Sequence, residues 1–314
     1  MQQLYKSRDF GALFQDTFAF LKKSGGHLFK HFFLVNGLFL LILSVLGYFF
    51  TKFYTDIVFG GILNGSSSSM DSYLNDNAGL FVLLAVTFIT VGLTAAVVSY
   101  SYIPIYLKLY DKHRGTSFGT NHILSAYKTN ILKILKFLLC GLVIAIPMFI
   151  GLGLVSFMLI ITIIGIFAMP LVIGFVALFY QMTLMEYLNS KKGIWDSFGY
   201  SLSLIGQKFW ISISCVGIFY LMSYIVQNIM TLIPYIFGMA SLFTSVDTES
   251  QPNNDEIGAT MTVIMLALFF VSFIFGSVLN VITQLNQGIV FYSLKEENEN
   301  INTKSVIDQI GSGE

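Results

Sequence analysis

The sequence predicts an all-α fold, a polytopic membrane bundle of about six transmembrane helices, and three observations lead to this class. Of 314 residues, 55% are hydrophobic and only 11% are charged, whereas a soluble domain carries about a quarter charged residues. Uncharged runs are long enough to cross a hydrocarbon core of about 30 Å, which takes about 20 helical residues. Basic residues are concentrated in alternate connections between these runs. A water-facing surface cannot be built from so few charges.

Five uncharged runs predict the crossings, and they lie between Lys30 and Lys52, Asp76 and Lys108, Lys136 and Glu186, Lys208 and Asp247, and Glu256 and Lys295. The third run is more than twice as long as one crossing needs, so it must cross twice. We expect its reversal at Gly151-Leu-Gly153 or just after it, because glycine permits a tight turn. We also expect Pro234 to end the fifth span. The predicted spans are near 31–51, 79–107, 133–152, 157–185, 208–233 and 258–292.

Charges in the connections predict the orientation, because Lys and Arg near span ends are retained on the cytoplasmic side. Of the 17 basic residues, only Lys52 falls in a connection assigned to the outside. The outer connections instead carry carboxylates: Asp56, Asp71, Asp76, Asp247, Glu249, Asp255 and Glu256. The net charge of zero therefore separates into about +6 inside and −6 outside. The sequence predicts a multi-pass protein of the cell inner membrane with both termini in the cytoplasm.

Three segments with a Phe-Gly pair introduce the three pairs of spans. They begin Asp9-Phe-Gly11, Ser117-Phe-Gly119 and Ser197-Phe-Gly199. Each continues with apolar residues at helical spacing, which are Phe10, Leu13, Phe14, Phe18 and Leu21 in the first copy, Phe118, Leu124, Tyr127 and Ile131 in the second, and Phe198, Leu202, Ile205 and Phe209 in the third. Each pair of spans ends with Tyr and Leu followed by charges.

These features predict a single membrane domain over 1–314 with an internal repeat. Its three units lie at about 8–110, 116–190 and 196–296, and a polar cytoplasmic tail follows over 297–314. Each unit is a cytoplasmic amphipathic helix followed by a transmembrane hairpin. Any helix that enters a membrane from the cytoplasm has a basic amphipathic start, so part of the similarity also arises without a repeat.

Uncharged polar residues inside the spans are the candidates for a functional site. In the sixth span they are Ser277, Asn280, Gln284 and Gln287, spaced three, four and three residues apart and so on one helix face. Gln227 and Asn228 of the fifth span either meet them or lie nearer the outer surface. Amides in lipid are costly unless paired across helices, so this face should point inward. It forms either a structural contact or the lining of a substrate path. Asn36 and Gln181 are isolated, and we interpret them as helix contacts.

No pattern in the sequence predicts a catalytic, cofactor or metal site. Charged residues are absent from the middle of the spans, which disfavours a proton-coupled pump. Glu186 is the nearest, and we expect it in the headgroup zone at the end of the fourth span. His27 and His31 are two of only four histidines, so we interpret them as interface residues. GxSxG, HExxH and P-loop patterns are also absent, and we do not expect nucleic acid as a partner.

Basic residues on the cytoplasmic side predict contacts with membrane lipids. They are Lys22, Lys23 and Lys30 in the first unit, and Lys112 and Arg114 between the first and second units. Each such charge attracts anionic headgroups by about 1 kcal/mol near the surface. Ordinary orientation signalling explains the same residues without a specific lipid.

The Phe-Gly entry, membrane hairpin and Tyr/Leu/charge exit resemble a broad group of poorly characterised bacterial inner-membrane proteins. The group includes the membrane domain that precedes some glycerophosphodiester phosphodiesterases. The residues that carry the resemblance are Arg8-Asp-Phe-Gly11, Ser117-Phe-Gly119, Ser197-Phe-Gly199 and the exits at 106–112 and 186–192. The resemblance implies a polytopic fold in the inner membrane. It carries over no catalytic residue, because the chain has no room for the soluble barrel of the phosphodiesterase.

We therefore expect a non-enzymatic inner-membrane protein that organises the membrane or envelope, or that binds a protein partner at its cytoplasmic face. The second interpretation is a carrier for a lipid or small apolar molecule that uses the polar face of the fifth and sixth spans. The third is a lipid-modifying membrane enzyme.

Overall fold

A computed structural model describes residues 2–55, 67–162, 165, 167–245 and 254–302, with side chains outside the description at 67–77, 241–245 and 254–259. Over these residues the chain forms seven α-helices and no strand. They are α1 (Phe10–Thr55), α2 (Ser67–Lys112), α3 (Thr120–Ile161), α4 (Met169–Asn189), α5 (Ile194–Gln207), α6 (Phe209–Ser245) and α7 (Asn254–Glu299). The predicted all-α class is confirmed.

Six of these helices are long and apolar enough to cross a membrane, and α5, with 14 residues, is the exception. The spanning segments are Phe10–Thr55, Ala78–Lys112, Thr120–Ile161, Met169–Asn189, Phe209–Ala240 and Thr260–Glu299. The predicted multi-pass bundle of about six transmembrane helices is therefore confirmed.

The reversal between the third and fourth spans lies later than the sequence predicted. α3 continues through Gly151 and Gly153 to Ile161, and α4 begins at Met169. Thr162 ends α3 with an extended backbone, φ −103° and ψ 132°. Pro170 stands in the first turn of α4, where its missing N–H leaves no bond unmade. The prediction that the two glycines turn the chain was wrong, because glycine inside a membrane helix does not by itself end it.

α6 also differs from the prediction, because it continues through Pro234 to Ser245. Proline removes one backbone hydrogen bond from a helix. Membrane helices tolerate that loss, because neighbouring groups and local adjustments satisfy the freed carbonyl. The expectation that Pro234 ends the fifth span was wrong.

The three Phe-Gly segments are helical, but only the third forms a helix of its own. The first is the beginning of α1, the second is the beginning of α3, and the third is α5. α5 is separated from α6 at Lys208, where φ −131° and ψ 53° leave the helical range. In the first two copies the helix continues into the span that follows, and the repeat of an amphipathic helix with a hairpin stays a prediction.

The buried faces of these segments also differ from the predicted ones. In α1 the buried stripe is Leu13, Thr17, Phe20, Ser24 and Leu28, whereas Phe10 and Phe18 are exposed. Other side chains of the predicted faces are exposed as well: Leu124 and Ile131 in the second copy, and Leu202 and Phe209 in the third. The predictions counted only apolar residues, but small polar residues are buried here as well. The Thr17 hydroxyl donates to the Leu13 carbonyl of its own helix at 2.7 Å, which satisfies it inside the contact.

The chain divides into two compact units. The larger unit contains Met1–Val35, Ser99–Ser223 and Asn280–Glu314, and the smaller unit contains Asn36–Val98 and Tyr224–Leu279. α3, α4 and α5 belong wholly to the larger unit, and the other four helices contribute segments to both.

α4 is the central helix of the larger unit, because its side chains from Leu178 to Leu188 are buried except for Tyr180. Its glycine Gly174 meets α6 so closely that an added Cβ would lie 2.6 Å from the Ile213 carbonyl oxygen. A Cβ at Gly217 of α6 would lie 2.6 Å from the Pro170 carbonyl oxygen. Small residues at such crossings let two backbones approach, which is the usual packing of membrane helices.

Each Phe-Gly segment of the larger unit contacts the end of a pair of spans. Phe118 packs against Tyr106 with ring centroids 5.2 Å apart, and Phe198 packs against Phe179 at 5.6 Å. For the first segment the contact is with the last pair, where the Arg8 backbone N–H donates to the Ser293 hydroxyl at 2.9 Å. These contacts agree with the three-part repeat, which stays a prediction.

The smaller unit is held together by aromatic rings and a few polar contacts. Phe50 of α1 lies 5.2 Å from Phe88 of α2, and the Gln227 amide of α6 donates to the Ser272 carbonyl of α7 at 2.9 Å. Large apolar side chains such as Leu83, Leu93 and Val263 are exposed. Such a surface suits lipid, because the hydrocarbon core is as apolar as the side chains that face it.

Candidate functional site: charged cluster and buried amides of the larger unit

Glu186, in the last turn of α4, is the centre of a buried charged cluster. Its carboxylate is 0% exposed and lies 2.6 Å from Lys295 Nζ of α7 and 2.9 Å from Lys192 Nζ. The sequence placed Glu186 correctly at the end of the fourth span, and protein encloses its carboxylate there. Lys295 is 109 residues away in sequence, so its approach could not be anticipated. Burial of a carboxylate requires such paired cations.

Tyr200 of α5 extends this cluster. Lys192 Nζ lies 3.1 Å from the centroid of its ring, and its hydroxyl donates to Glu299. Burial, followed by the adjacent Glu299 carboxylate, raises the pKa of Tyr200 above its ordinary value, so the phenol remains a neutral donor. Lys295 Nζ is also 4.0 Å from Glu299. Two ammonium groups and two carboxylates therefore balance one another where α4, α5 and α7 meet.

The N-terminal segment folds onto the same end of the larger unit. The Arg8 guanidinium is buried, donates to the carbonyls of Gln3 and Leu4 at 2.7 and 2.8 Å, and pairs with Asp16 at 2.7 Å. Tyr5 meets Tyr292 of α7 edge to face, with ring centroids 4.9 Å apart. Burial, and then the charges of nearby carboxylates, raise the pKa of Tyr5. Arg8 thus fixes a segment that has no helix of its own.

Beside this segment lies an open cavity of about 420 Å³, lined by Gln3, Tyr5, Lys6, Ser7, Glu296, Glu297, Asn300 and Asn302. Glu297 is held in place at this cavity, because it accepts a hydrogen bond from the Ser7 hydroxyl and pairs with Lys208 of the α5–α6 junction at 2.5 Å. The cavity therefore has a polar lining that carries both signs of charge.

The histidines lie where α1, α2 and α3 meet. His27 Nε2 donates to the Phe118 carbonyl at 2.9 Å, and its Nδ1 lies 2.9 Å from the Tyr106 hydroxyl. His31 Nδ1 lies 2.7 Å from the Thr120 hydroxyl. Within the residues that the structure describes, no group of three or more His, Cys, Asp or Glu side chains is arranged to hold a metal. The imidazoles of His27 and His31 serve as hydrogen-bonding side chains between helices.

Three of the predicted polar residues belong to the larger unit, and their surroundings differ. The Gln287 amide donates to the Tyr220 hydroxyl of α6 at 3.3 Å. Gln284 is buried, and its Oε1 has no hydrogen-bond partner among the described residues. Asn280 is exposed. The expected inward face therefore holds for Gln284 and Gln287 and is wrong for Asn280.

The other three predicted residues belong to the smaller unit. Gln227 bridges α6 and α7 through the Ser272 carbonyl, as described above. Asn228 and Ser277 instead donate to carbonyls of their own helices, at 2.7 and 2.8 Å. Gln227 thus contacts the sixth span at a backbone carbonyl outside the predicted polar face, and Asn228 and Ser277 form hydrogen bonds only within their own helices in the described part of the chain.

Sequence reasoning missed Asn286, which connects three helices. Its amide donates to the Thr17 hydroxyl of α1 at 3.1 Å and lies 3.4 Å from the Cys215 sulfur of α6. Asn286 immediately precedes Gln287, so it falls outside the face that the spacing of three and four residues defined. Its polar character was the available signal, and its position on another face of the helix concealed it.

Gln181 was expected to be a helix contact, but both polar atoms of its buried amide lack a hydrogen-bond partner among the described residues. The Tyr100 hydroxyl, also buried, is in the same situation. α4 and α7 run in parallel register, because Met185 lies beside Gly288 and Asn189 donates to Tyr292 at 3.3 Å. Gln181 and Gln284 each precede these contacts by one turn and therefore lie at the same level.

The predicted lipid-contact residues Lys22, Lys23, Lys30, Lys112 and Arg114 are all exposed. Arg114 and Gly115 turn the chain between α2 and α3 with φ of 48° and 138°. None of the five forms an ion pair within the part of the chain that the structure describes.

No family model matches the chain, and no curated protein or solved structure is significantly similar to it.

Proposed function

We propose that the protein is a non-enzymatic multi-pass protein of the cell inner membrane that binds a protein partner at its cytoplasmic end and thereby organises the membrane. The observation that carries this proposal is the charged cluster of Glu186, Lys192 and Lys295, together with the N-terminal segment that Arg8 fixes. It makes one end of the larger unit a fixed, charge-balanced surface. The polar cavity beside it offers both signs of charge to a peptide segment.

The proposed orientation places this end in the cytoplasm. The N-terminal segment and the end of α7 both belong to this surface, since Tyr5 packs on Tyr292. The exposed Lys22, Lys23 and Lys30 are close in sequence to the same segment. Retention of basic residues in the cytoplasm supports this placement and the cytoplasmic location of both termini.

The three-part repeat and its amphipathic segments belong to the same proposal. Each segment buries one face in the protein and exposes apolar residues on another, which are Phe18 in the first copy, Leu124 in the second and Leu202 in the third. An exposed apolar face beside charged residues suits the boundary between headgroups and acyl chains. The segments would thus hold the larger unit at the membrane surface.

The polar side chains within the spans support a structural role over conduction. Gln287, Asn286 and Gln227 each form a hydrogen bond to another helix. Interhelical hydrogen bonds of this kind stabilise membrane bundles. A side chain that holds two helices together is not available to a passing substrate.

A carrier for a lipid or small apolar molecule is the second candidate, and two observations favour it. Gln181, Gln284 and Tyr100 each bury a polar atom that has no hydrogen-bond partner among the described residues. The smaller unit has an apolar cavity of about 530 Å³, lined by Pro234, Phe237, Gly238, Thr260, Val263, Ile264 and Ala267. Carriage predicts that Gln181→Leu with Gln284→Leu abolishes transfer of a defined lipid between vesicles while the protein stays folded.

The partner proposal is tested by site-specific photocrosslinking in the native membrane. A photoreactive residue at Asn300, which lines the polar cavity, should form one discrete protein adduct. The same residue at Arg114, which is exposed elsewhere, should not form it. The adduct should disappear in Lys6→Glu, which reverses a cavity charge. An adduct that is equally strong from both positions, or none from Asn300, would contradict partner binding at the cavity.

Orientation has its own test. In a background of Cys140→Ala and Cys215→Ser, an impermeant thiol reagent added outside intact cells should label Ser250→Cys, which lies outside the described residues. The reagent should label Lys191→Cys only after the cells are opened. The reverse pattern would overturn the proposed topology and leave the partner test unaffected.

A further inference from the structure

Two lysines that the charged cluster does not use gather at the end of α4. Lys108 of α2 donates to the Leu188 carbonyl, and Lys133 of α3 donates to the Tyr187 carbonyl at 3.1 Å. These carbonyls belong to adjacent residues, so the two ammonium groups are brought to one helix end. Lys133 Nζ also lies 5.2 Å from the centroid of the Tyr187 ring. Both lysines are half-buried.

Among the described residues, no carboxylate pairs with the two ammonium groups at this helix end. A helix C-terminus carries only about half a negative charge. Neither lysine forms an ion pair in the described part of the chain, and the carboxylate of Glu186 is already shared by Lys192 and Lys295. The charged groups that act on Lys108 are Lys133 and Lys112, both positive. Asp111, three residues further on, forms no ion pair with either lysine among the described residues.

The position of these lysines indicates which anion they meet. Each lies toward an end of a helix long and apolar enough to span a membrane, where ammonium groups reach the headgroup level. Along α3, exposed apolar side chains flank Lys133 at Leu132 and Leu135, and others follow further along the span, such as Leu139 and Leu142. A positively charged group beside an apolar surface matches a lipid, because the ammonium groups can bind an anionic headgroup and the apolar surface can contact its acyl chains.

We propose that Lys108 and Lys133, gathered at the C-terminal turn of α4, bind the phosphate of an anionic phospholipid whose acyl chains lie along α3. The bound headgroup supplies the negative charge that the protein lacks at this point. The site is distinct from the exposed residues Lys22, Lys23 and Lys30, because its ammonium groups are held in place by backbone carbonyls. It requires only that the helices span a membrane, and it does not depend on the proposed partner.

Native mass spectrometry of the full chain in mild detergent tests the site with phosphatidylglycerol and phosphatidylcholine of identical acyl chains. Wild type should retain phosphatidylglycerol preferentially. Each lysine at the surface contributes about a fivefold preference, so Lys108→Gln with Lys133→Gln should weaken phosphatidylglycerol binding on the order of 30-fold. Phosphatidylcholine binding should change little.

The matched control is Lys128→Gln with Lys191→Gln, which removes the same charge from exposed positions and should change binding less than about twofold. Equal losses in the two double variants, or no preference for phosphatidylglycerol in wild type, would overturn the site. Inorganic phosphate at millimolar concentration should not displace the lipid, and full displacement would identify a free-anion site instead. If the double variant does not fold, Lys133→Arg against Lys133→Gln decides the question, since only the arginine should retain the lipid.

Discussion

α3 and α4 follow one another in the chain and both suit a membrane, yet their side chains have opposite surroundings. In the most apolar stretch of α4, 61% of residues are buried, against 6% in α3. The mean hydropathy of the same stretches is 1.6 for α4 and 2.6 for α3. The less apolar helix is therefore enclosed by protein, and the more apolar helix is left exposed.

In soluble proteins the most apolar helix is the one that is buried, and here the opposite is found. The reason is that the surrounding lipid solvates apolar side chains and does not solvate polar ones. An apolar side chain gains no hydrophobic energy by leaving lipid for a protein core. A polar side chain does gain, because only protein offers it a partner in the bilayer. α4 carries Glu186 and Gly174, whose carboxylate and close backbone approach both need protein neighbours. α3 carries few such groups beyond its first turns and needs few protein neighbours.

The largest effect is expected at Glu186. Glu186→Gln leaves two ammonium groups without their shared carboxylate and should destabilise the protein by about 3–5 kcal/mol. The measurement is the free energy of unfolding in detergent micelles. Glu297→Gln removes a carboxylate from a pair in which the Lys208 side chain is 32% exposed, and should cost at most about 1 kcal/mol. An equal loss of unfolding free energy in the two variants would show that Glu186 is not a buried charge centre.

Leucine truncations compare the two helices directly. Leu184→Ala in α4 removes a buried side chain and should cost about 2 kcal/mol through the cavity it leaves. Leu139→Ala in α3 removes a side chain that is 67% exposed, and should cost less than about 0.5 kcal/mol. Thermal unfolding in micelles of the two variants measures the difference. A costly Leu139→Ala would mean that protein, not lipid, covers α3.

Glycine substitutions should have opposite signs in the two helix environments. Gly217→Ala drives a Cβ against the Pro170 carbonyl at the α4–α6 crossing, which should cost about 1–3 kcal/mol. Gly153→Ala in α3 meets no atom within 4 Å and should stabilise its helix by about 0.5–1 kcal/mol. Unfolding midpoints of both variants provide the measurement. Stabilisation by Gly217→Ala would exclude the close crossing.

The smallest effect is expected at the buried amides. Gln181→Met removes two unpartnered polar atoms at similar volume and should stabilise the protein by about 1 kcal/mol. Gln287→Met leaves the Tyr220 hydroxyl without its hydrogen-bond donor and should destabilise the protein by about 1 kcal/mol. Thermal unfolding in micelles again distinguishes them. Destabilisation by Gln181→Met would show that its amide has a bound partner, which would strengthen the carrier interpretation.

Much of the fold could be predicted from the sequence, whereas the site could be predicted only in part. Gln284, Gln287 and Gln227 were identified because amides are unusual in lipid. Asn286 was missed because its contacts with Thr17 and Cys215 come from two other helices. The pairing of Glu186 with Lys295 was not predicted, because only the packing of α7 on α4 brings the two side chains close.

The sequence by itself determined the class and the number of spans. Both depend on quantities that run along the chain: the length of uncharged segments against the thickness of a bilayer, and the sequence of charges between them. The position of the reversal between the third and fourth spans could not be predicted from these quantities. A uniformly apolar helix continues through Gly151 and Gly153 as readily as it turns there.

Tertiary structure alone decided which helix is enclosed and which side chains face inward. A span that is apolar on every side has no periodicity that could orient it, since lipid and protein accept the same residues. Orientation therefore comes from the few groups that lipid cannot accept. Glu186 and Gln181 can lie in α4 because protein encloses that helix, and the gathering of Lys108 and Lys133 at its end follows from the same packing.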